Sequence, residues 1–324
     1  MNRPHITTVI PVYNGQPFIG QTLDSIAAQT LQPNRVVVID DGSTDATPDI
    51  VRNFKPIPCE YLRNPSNMGV IKNYNRALDF AVETDYLQIL HADDLILPAF
   101  YEVMVGLLED CPGQGLAWAL DERIDENNKV LNVSGKPDGR ITVYTRDEFL
   151  RRKAELANQA FCSTLYKTNR QPIVARYRPE LLILNDTMFY AEFGADCRKQ
   201  VQINRALGQY RWHGSNTTSA YAPAIQSLIL DEWEVMQRVE ALRGGTSALR
   251  QMKLKGLFAV RSGIKAKRFR TLQKNPEYAE KIVDATRKVT GLPLWLAGQM
   301  LVEIRDLVIY KILGRPQHPK NIYG

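Results

Sequence analysis

Two short apolar runs in this chain each end in acid. Val36-Val37-Val38-Ile39 leads into Asp40-Asp41-Gly42-Ser43-Thr44-Asp45, and Tyr86-Leu87-Gln88-Ile89-Leu90 leads into His91-Ala92-Asp93-Asp94. Runs this short, bounded by polar turns, read as buried strands. In an open parallel sheet such strands deliver their trailing residues to one carboxyl edge, where α/β proteins bind their ligands. Paired carboxylates at that edge point to a phosphate ligand carried with a metal ion.

The surrounding segments alternate strand-like and helix-like patterns to about residue 120, which predicts an α/β sheet with helices on both faces. Ile6–Val12 reads as the first strand, 17–29 as a helix with Phe18, Leu23, Ile26 and Ala27 turned inward, and 35–39 as the second strand. Ser43 or Thr44 is placed to cap the next helix, with Asp45 and Asp49 near its positive end. A strand over 59–62, a helix over 70–81, a strand over 86–90 and a helix opened by Pro98 and running to about Glu109 continue the alternation. Between Gly115 and His213 the strand candidates are 116–120, 161–166 and 200–203, and an acceptor site is expected there. From Ala222 onward only helical periodicity remains, near 223–243, 247–273, 276–289 and 294–313. The expected organisation is an α/β domain over 1–221, with its alternating part about 1–120 and its acceptor part about 121–221, and then a helical region over 222–324.

With 324 residues and 44% hydrophobic content the chain can form one large or two ordinary domains. Cys59, Cys111, Cys162 and Cys197 lie far apart with no CxxC pair, which argues against a zinc site and a disulfide framework and fits a reduced cytosol. The apolar start is too brief, and too soon broken by Asn14-Gly15, for a signal sequence. The sequons beginning at Asn132, Asn185 and Asn216 are therefore expected to stay unmodified. A net charge of +6 is modest, and no nucleic-acid partner is expected. Its densest part is 250–274, with nine Lys or Arg residues and no acid. That segment reads either as a solvated helix face or as a contact for phosphates of an acceptor or an anionic membrane.

Asp93-Asp94 reads either as capping the helix after Pro98 or as ligating Mg²⁺ or Mn²⁺, which takes one or two carboxylates plus substrate phosphates rather than a full protein cage. Asp40-Asp41-Gly42-Ser43 reads either as a turn with an N-cap or as acids that accept hydrogen bonds from a base or ribose.

Taken together, Val9-Ile10-Pro11-Val12-Tyr13-Asn14, Val38-Ile39-Asp40-Asp41-Gly42-Ser43-Thr44-Asp45, Asn67-Met68-Gly69 and Leu90-His91-Ala92-Asp93-Asp94 resemble the motifs of the family 2 glycosyltransferases, in the same order. The resemblance covers about residues 5–215 and implies the GT-A fold, a Rossmann-like mixed sheet with helices on both faces, with the helical tail as an extension. It implies that Pro11, Tyr13, Asn14 and Asp40 or Asp41 line a nucleotide pocket, that the Asn67–Gly69 turn closes over it, and that the Asp93 segment is the metal motif. Asp94 and His213 join Asp93 in the implied metal set. His91 stands where the family carries its first acid, and Tyr74-Asn75 where many relatives have Arg-Asn. Asp186, in Leu184-Asn185-Asp186, occupies the family's position for the catalytic base, against an alternative as a helix N-cap. Tyr210-Arg211-Trp212-His213 resembles the late Arg-x-His segment, with Arg211 set to offset nucleotide charge.

The implied chemistry is a single inverting displacement. A nucleoside-diphosphate sugar, a UDP-sugar in the first instance, gives its sugar to a hydroxyl of a glycan or lipid-linked acceptor in cell-surface glycan synthesis. Transfer to a polyisoprenyl phosphate and a noncatalytic nucleotide-sugar-binding or scaffold role are the alternatives. A sugar nucleotidyltransferase would show a Gly-rich phosphate loop after its first strand, and Pro11-Val12-Tyr13-Asn14-Gly15 is not one.

The tail has an apolar side with Trp295, Leu296, Met300, Leu301, Ile304, Leu307, Val308 and Ile312, but its longest uncharged stretch is too short to span a bilayer. It is expected either to pack on the catalytic domain or in a homodimer, or to lie in a membrane interface beside the basic segment, with Lys265 and Lys267 as lipid contacts. The expected location is cytoplasmic, peripheral at the inner face of the membrane on the second reading.

Overall fold

The computed structural model describes residues 4–156, 161–181, 184–214, 225–245, 247–306 and 308. They form two compact units. The first comprises residues 1–150, 157–179 and 185–216; the second takes 151–156, 180–184 and 217–324. The expected boundary at 221/222 lies outside the described residues.

The first unit is built on one ten-stranded sheet. Its opening half runs β1 (Ile6–Val12), α1 (Ile19–Ala27), β2 (Arg35–Asp40), α2 (Thr47–Asn53), β3 (Glu60–Arg63), α3 (Val70–Leu78) and β4 (Tyr86–Ile89). Next come β5 (Leu95–Ile96), α4 (Phe100–Leu108), β6 (Gly115–Ile124), β7 (Val130–Val133), β8 (Ile141–Tyr144), α5 (Arg146–Ala154), β9 (Thr164–Lys167), α6 (Asn185–Asp196) and β10 (Lys199–Arg211). Strand order is β3-β2-β1-β4-β9-β6-β10-β5, with β7 beside β6 and β8 beside β10. β1 is parallel to β2 and β4, with Val12 opposite Asp40 and Val9 opposite Ile89, so both acidic clusters emerge at one edge. β9 is antiparallel to β4 and β6, which makes the sheet mixed.

β1, β2 and β4 are buried along almost their whole length, the pattern of central strands covered on both faces. Ile10, Val38, Leu23, Phe100, Met104 and Leu165 belong to one continuous core. The carbonyls at the end of α4 are closed by the buried Lys167, whose Nζ donates to Leu108 O at 2.9 Å and Cys111 O at 2.8 Å. The helix after β2 starts later than the sequence suggests. Thr47 is its first residue, and Asp45 accepts from the Thr47 amide at 3.0 Å, so neither Ser43 nor Thr44 is the cap. β10 is far longer than the four residues expected, because bulges near Ala206 let polar residues such as Asn204 and Arg205 interrupt its alternation without ending it.

The second unit contains α7 (Ile225–Leu242), α8 (Ala248–Thr271) and α9 (Pro276–Asp306). Gly291, at φ 74° and ψ 164°, turns a corner inside α9 that a residue with a Cβ adopts only with strain. The part after the corner runs alongside α8 in the same direction. Gly298 lies against Ala259, and Lys267 reaches Glu303 at 2.8 Å and Asp306 at 2.9 Å.

About half of the basic segment is committed inside this unit, Lys265 and Lys267 included, which turns those two away from the lipid contact expected of them. Lys265 pairs with Glu232 on α7, Lys267 with the two acids of α9, and Arg270 with Glu280, while Arg261 donates to the Glu155 carbonyl at 2.8 Å. No described helix is long and apolar enough to cross a membrane.

Candidate active site

The loops leaving β1 and β2 are laced together. The Asn14 amide donates to Ser43 Oγ, Asn14 Oδ1 accepts from the Thr44 amide, and the Gly15 amide donates to Thr47 Oγ1, each at 2.8 Å. Pro11 is buried within β1, whereas Tyr13 and Asn14 stand exposed at its end. Asp40 and Asp41 reach the same edge but are both buried and fully engaged. Asp40 Oδ1 accepts from the Ser43 amide at 2.8 Å, and Oδ2 takes Arg63 Nη1 at 2.7 Å together with the Tyr61 hydroxyl. Asp41 accepts from the Met68 and Gly69 amides at 2.9 Å each and from Asn64 Nδ2 at 2.7 Å. Asp41 therefore holds the Asn67–Gly69 turn in place, and Gly42, at φ 84°, leaves room for it: a Cβ there would lie 3.1 Å from the Asn67 amide.

The second cluster is more open. His91, Asp93 and Asp94 each bring a ligand atom within 4.8 Å of the others. Asp94 is fully buried. Its Oδ1 accepts the Arg211 amide at 2.9 Å, and His91 Nδ1 stands 3.1 Å from Oδ2, which no hydrogen bond of good geometry reaches. Burial pushes the Asp94 carboxyl up to about 6 against the pull of His91. Burial would also raise Asp93, but the hydrogen bond from His213 and the charge of His91 outweigh it and hold this carboxyl below its usual range. Burial would lower His91; the adjoining Asp94 outweighs it, and Asp93 and Asp186 add to the rise. His91 stacks on Phe161 at 4.2 Å, and Tyr74 meets both rings edge-on. Thr22 of α1 donates to the Ala92 and Asp94 carbonyls at 2.9 Å, fixing the segment to the sheet.

His213 Nε2 lies 2.9 Å from Asp93 Oδ2. Arg211, expected to offset nucleotide charge, is engaged within the fold. Its side chain is buried over the Phe18 ring. Nε donates to the Asp93 carbonyl at 2.8 Å, Nη1 to Asn128 Oδ1 at 2.6 Å and Nη2 to Gln21 Oε1 at 3.0 Å. These contacts tie the backbone of the His91–Asp94 segment to α1 and to the β6–β7 turn.

A family model for glycosyl transferase family 2 matches residues 7–178, more than half of the chain. The chain belongs to that family. An uncharacterized glycosyltransferase of Haemophilus influenzae is 26% identical over 237 residues, covering 68% of this chain and 69% of the relative. Several other curated relatives align over less than half of their own length. Among solved structures, S. aureus TarS 1–349 in complex with UDP-GlcNAc superposes with a TM-score of 0.62 at 16% identity, covering 97% of this chain and 93% of that one. The mannosyltransferase PcManGT from Pyrobaculum calidifontis, in complex with GDP-Man and Mn²⁺, gives 0.54 at 19% identity over 96% and 82%. These likenesses show the fold, which is GT-A with C-terminal helices.

Asp186, expected from the resemblance as the base, lies in the first turn of α6 rather than capping it, since the helix starts at Asn185. Its Oδ1 accepts from the Thr187 amide at 2.6 Å, and its charge is felt at His91 and at the buried Tyr166, Tyr177 and Tyr190. Burial keeps those phenols protonated. The residues that sequence reasoning missed are Arg63, Tyr61, Asn64 and Phe161. A signal existed for Arg63, which sits opposite Asp40 in the β2–β3 register, where a cation facing an acid is favoured. Phe161 lies 70 residues from His91 in a segment without a motif, so nothing local marks it.

Proposed function

We propose that this family 2 enzyme transfers a sugar from a nucleoside-diphosphate donor, a UDP-sugar in the first instance, to a hydroxyl of a glycan or lipid-linked acceptor, with inversion and with Mg²⁺ or Mn²⁺. The observation that carries this reading is the grouping of His91, Asp93 and Asp94 at the carboxyl edge of the sheet, each with a ligand atom within 4.8 Å of the others. Asp93 and Asp94 suit a hard divalent ion, with His91 as a further ligand atom. When bound, the ion supplies Lewis-acid charge to the diphosphate leaving group.

The protein's own groups do the rest. His213 orients Asp93, and Arg211 fixes the backbone from which that carboxylate projects. The Asn67–Gly69 turn and the exposed Tyr13 and Asn14 border the nucleotide side, held from beneath by Asp40 and Asp41. Asp186 takes the proton from the acceptor hydroxyl as it attacks the anomeric carbon, and one displacement inverts the configuration. The UDP-GlcNAc held by TarS, and the GDP-Man and Mn²⁺ held by PcManGT, support a nucleotide sugar and a divalent ion. Four unpaired thiols support a reducing compartment, hence a cytoplasmic enzyme.

A thermal-shift screen of nucleotide sugars with Mn²⁺ tests the reading, because a ligand that binds only the folded state raises the melting temperature by mass action. A shift for one sugar nucleotide that needs Mn²⁺ is expected. Absence of a shift with every nucleotide sugar contradicts it.

A further inference from the structure

Tyr177 and Arg178 bridge two helices that lie far apart in the chain. On one side stands Asn75 of α3, whose carboxamide engages both backbone groups of Tyr177: Nδ2 donates to the Tyr177 carbonyl at 2.9 Å, and Oδ1 accepts the Tyr177 amide at 2.8 Å. On the other side stands α6. The Arg178 amide donates to Asn185 Oδ1 at 2.6 Å, the Arg178 guanidinium pairs with Glu192, and the Tyr177 ring stacks on Phe189 at 4.6 Å.

A carboxamide carries its donor and its acceptor in one rigid plane, so closing both bonds on one residue fixes that residue in place and in direction. Tyr177 is buried, and its backbone groups have little water to turn to if Asn75 is lost. Asn185 and Asp186 are the first two residues of α6, so what holds Asn185 also holds its neighbour. At the other end of the bridge, α3 starts directly after the Asn67–Gly69 turn that Asp41 secures. Tyr74, next to Asn75, lies edge-on to His91 at 5.6 Å and to Tyr177 at 5.4 Å. One turn of α3 therefore meets both the acidic motif and the bridge to α6.

We infer that Asn75 is a positioning residue: through Tyr177, Arg178 and Asn185 it sets where Asp186 stands relative to the nucleotide edge of the sheet. The inference rests on the reading of Asp186 as the base. Asn75 acts on the base and not on the donor, so its loss should slow the reaction without weakening donor binding. A displacement of about 1 Å at a reacting group can cost about a hundredfold in rate.

The test is a double-mutant cycle on the full chain. Release of nucleoside diphosphate, with water as the acceptor, is measured in Mn²⁺ with the sugar nucleotide that raises the melting temperature. Parent, Asn75→Ala, Asp186→Asn and the double variant are compared, with folding checked by melting temperature. Asn185→Ala cuts the bridge at its other end and carries the test if Asn75→Ala does not fold. For either alanine variant kcat should fall about ten- to a hundredfold, with KM for the donor within about twofold of the parent. In the Asp186→Asn background the same substitution should cost less than about twofold more, because the group it positions is already gone. Parent-like kcat in the folded alanine variants, with Asp186→Asn impaired, overturns the inference alone. So does a rise in KM that matches the fall in kcat, or a loss that multiplies fully with that of Asp186→Asn. Release by Asp186→Asn at the parent rate overturns the assignment of the base, and this inference with it.

Discussion

His213 Nε2 and Asp93 Oδ2 meet at 2.9 Å, joining the end of β4 to the chain leaving β10. The contact leaves Asp93 less buried than Asp94 but fixed in direction, the condition for a carboxylate that must present an oxygen to a cation without swinging into solvent. Asp94, behind it, is anchored by the Arg211 amide. The two acids of the motif are thus held differently: Asp93 is the more open, and Asp94 is tied through Oδ1 to the backbone of β10.

Asp186 tests the assignment of the base. Asp186→Asn keeps the shape of the first turn of α6 and removes the proton acceptor. Transfer to acceptor should fall by roughly a hundredfold or more, while donor affinity, measured by calorimetry with an unreactive nucleotide, stays near the parent value. Equal losses in transfer and donor binding would assign Asp186 a structural role.

Arg211→Met should destabilise the first unit by roughly 3 kcal/mol or more, because several buried acceptors, among them Asp93 O and Asn128 Oδ1, lose their donor together. Chemical denaturation measures it. Parent-like stability combined with weakened nucleotide binding would assign Arg211 the nucleotide contact that the sequence suggests.

Lys265 sets a pH dependence in the second unit. Burial and the nearby Arg268 bring it down to about 7 from 10.5, even with Glu232 against it. Between those values the unfolded chain holds a proton that the folded chain has shed. The lysine's contribution to stability therefore rises with pH across that window, by at most about 1.4 kcal/mol per pH unit, and is at its least favourable below pH 7. Lys265→Met/Glu232→Gln removes the titration with little change of volume. The parent-minus-variant stability difference should climb from pH 6.5 to 8.5 in denaturant unfolding. A flat difference would mean that Lys265 keeps an ordinary pKa in the fold.

The first half of the catalytic unit was legible because its strands are short, apolar and bounded at once by the residues that mark their ends; Val36 to Asp40 announces both a central strand and an edge acid. What was illegible has physical causes. β7 and β8 alternate weakly and are largely exposed, so their pairing with β6 and β10 comes from the sheet rather than from propensity. The motifs name candidate residues but not the contacts each one makes. Whether Asp40 faces a ligand or Arg63, and whether Arg211 faces a phosphate or Gln21, depends on contacts between distant segments. The run of nine cations over 250–274 carries no sign that its partners wait on α7 and α9.

The central claim is that Asp93 holds a divalent ion that the transfer of the sugar requires, and release of nucleoside diphosphate tests it most directly. With the sugar nucleotide found by thermal shift, parent enzyme and Asp93→Asn are assayed in Mn²⁺ and in chelator, with folding checked by melting temperature. Asparagine keeps the shape and loses the charge that a hard cation needs. Mn²⁺-dependent release by the parent, stopped by chelator, is predicted, with at least a hundredfold less from a folded Asp93→Asn in saturating Mn²⁺. Release by Asp93→Asn at the parent rate, or parent release that chelator leaves untouched, would contradict it.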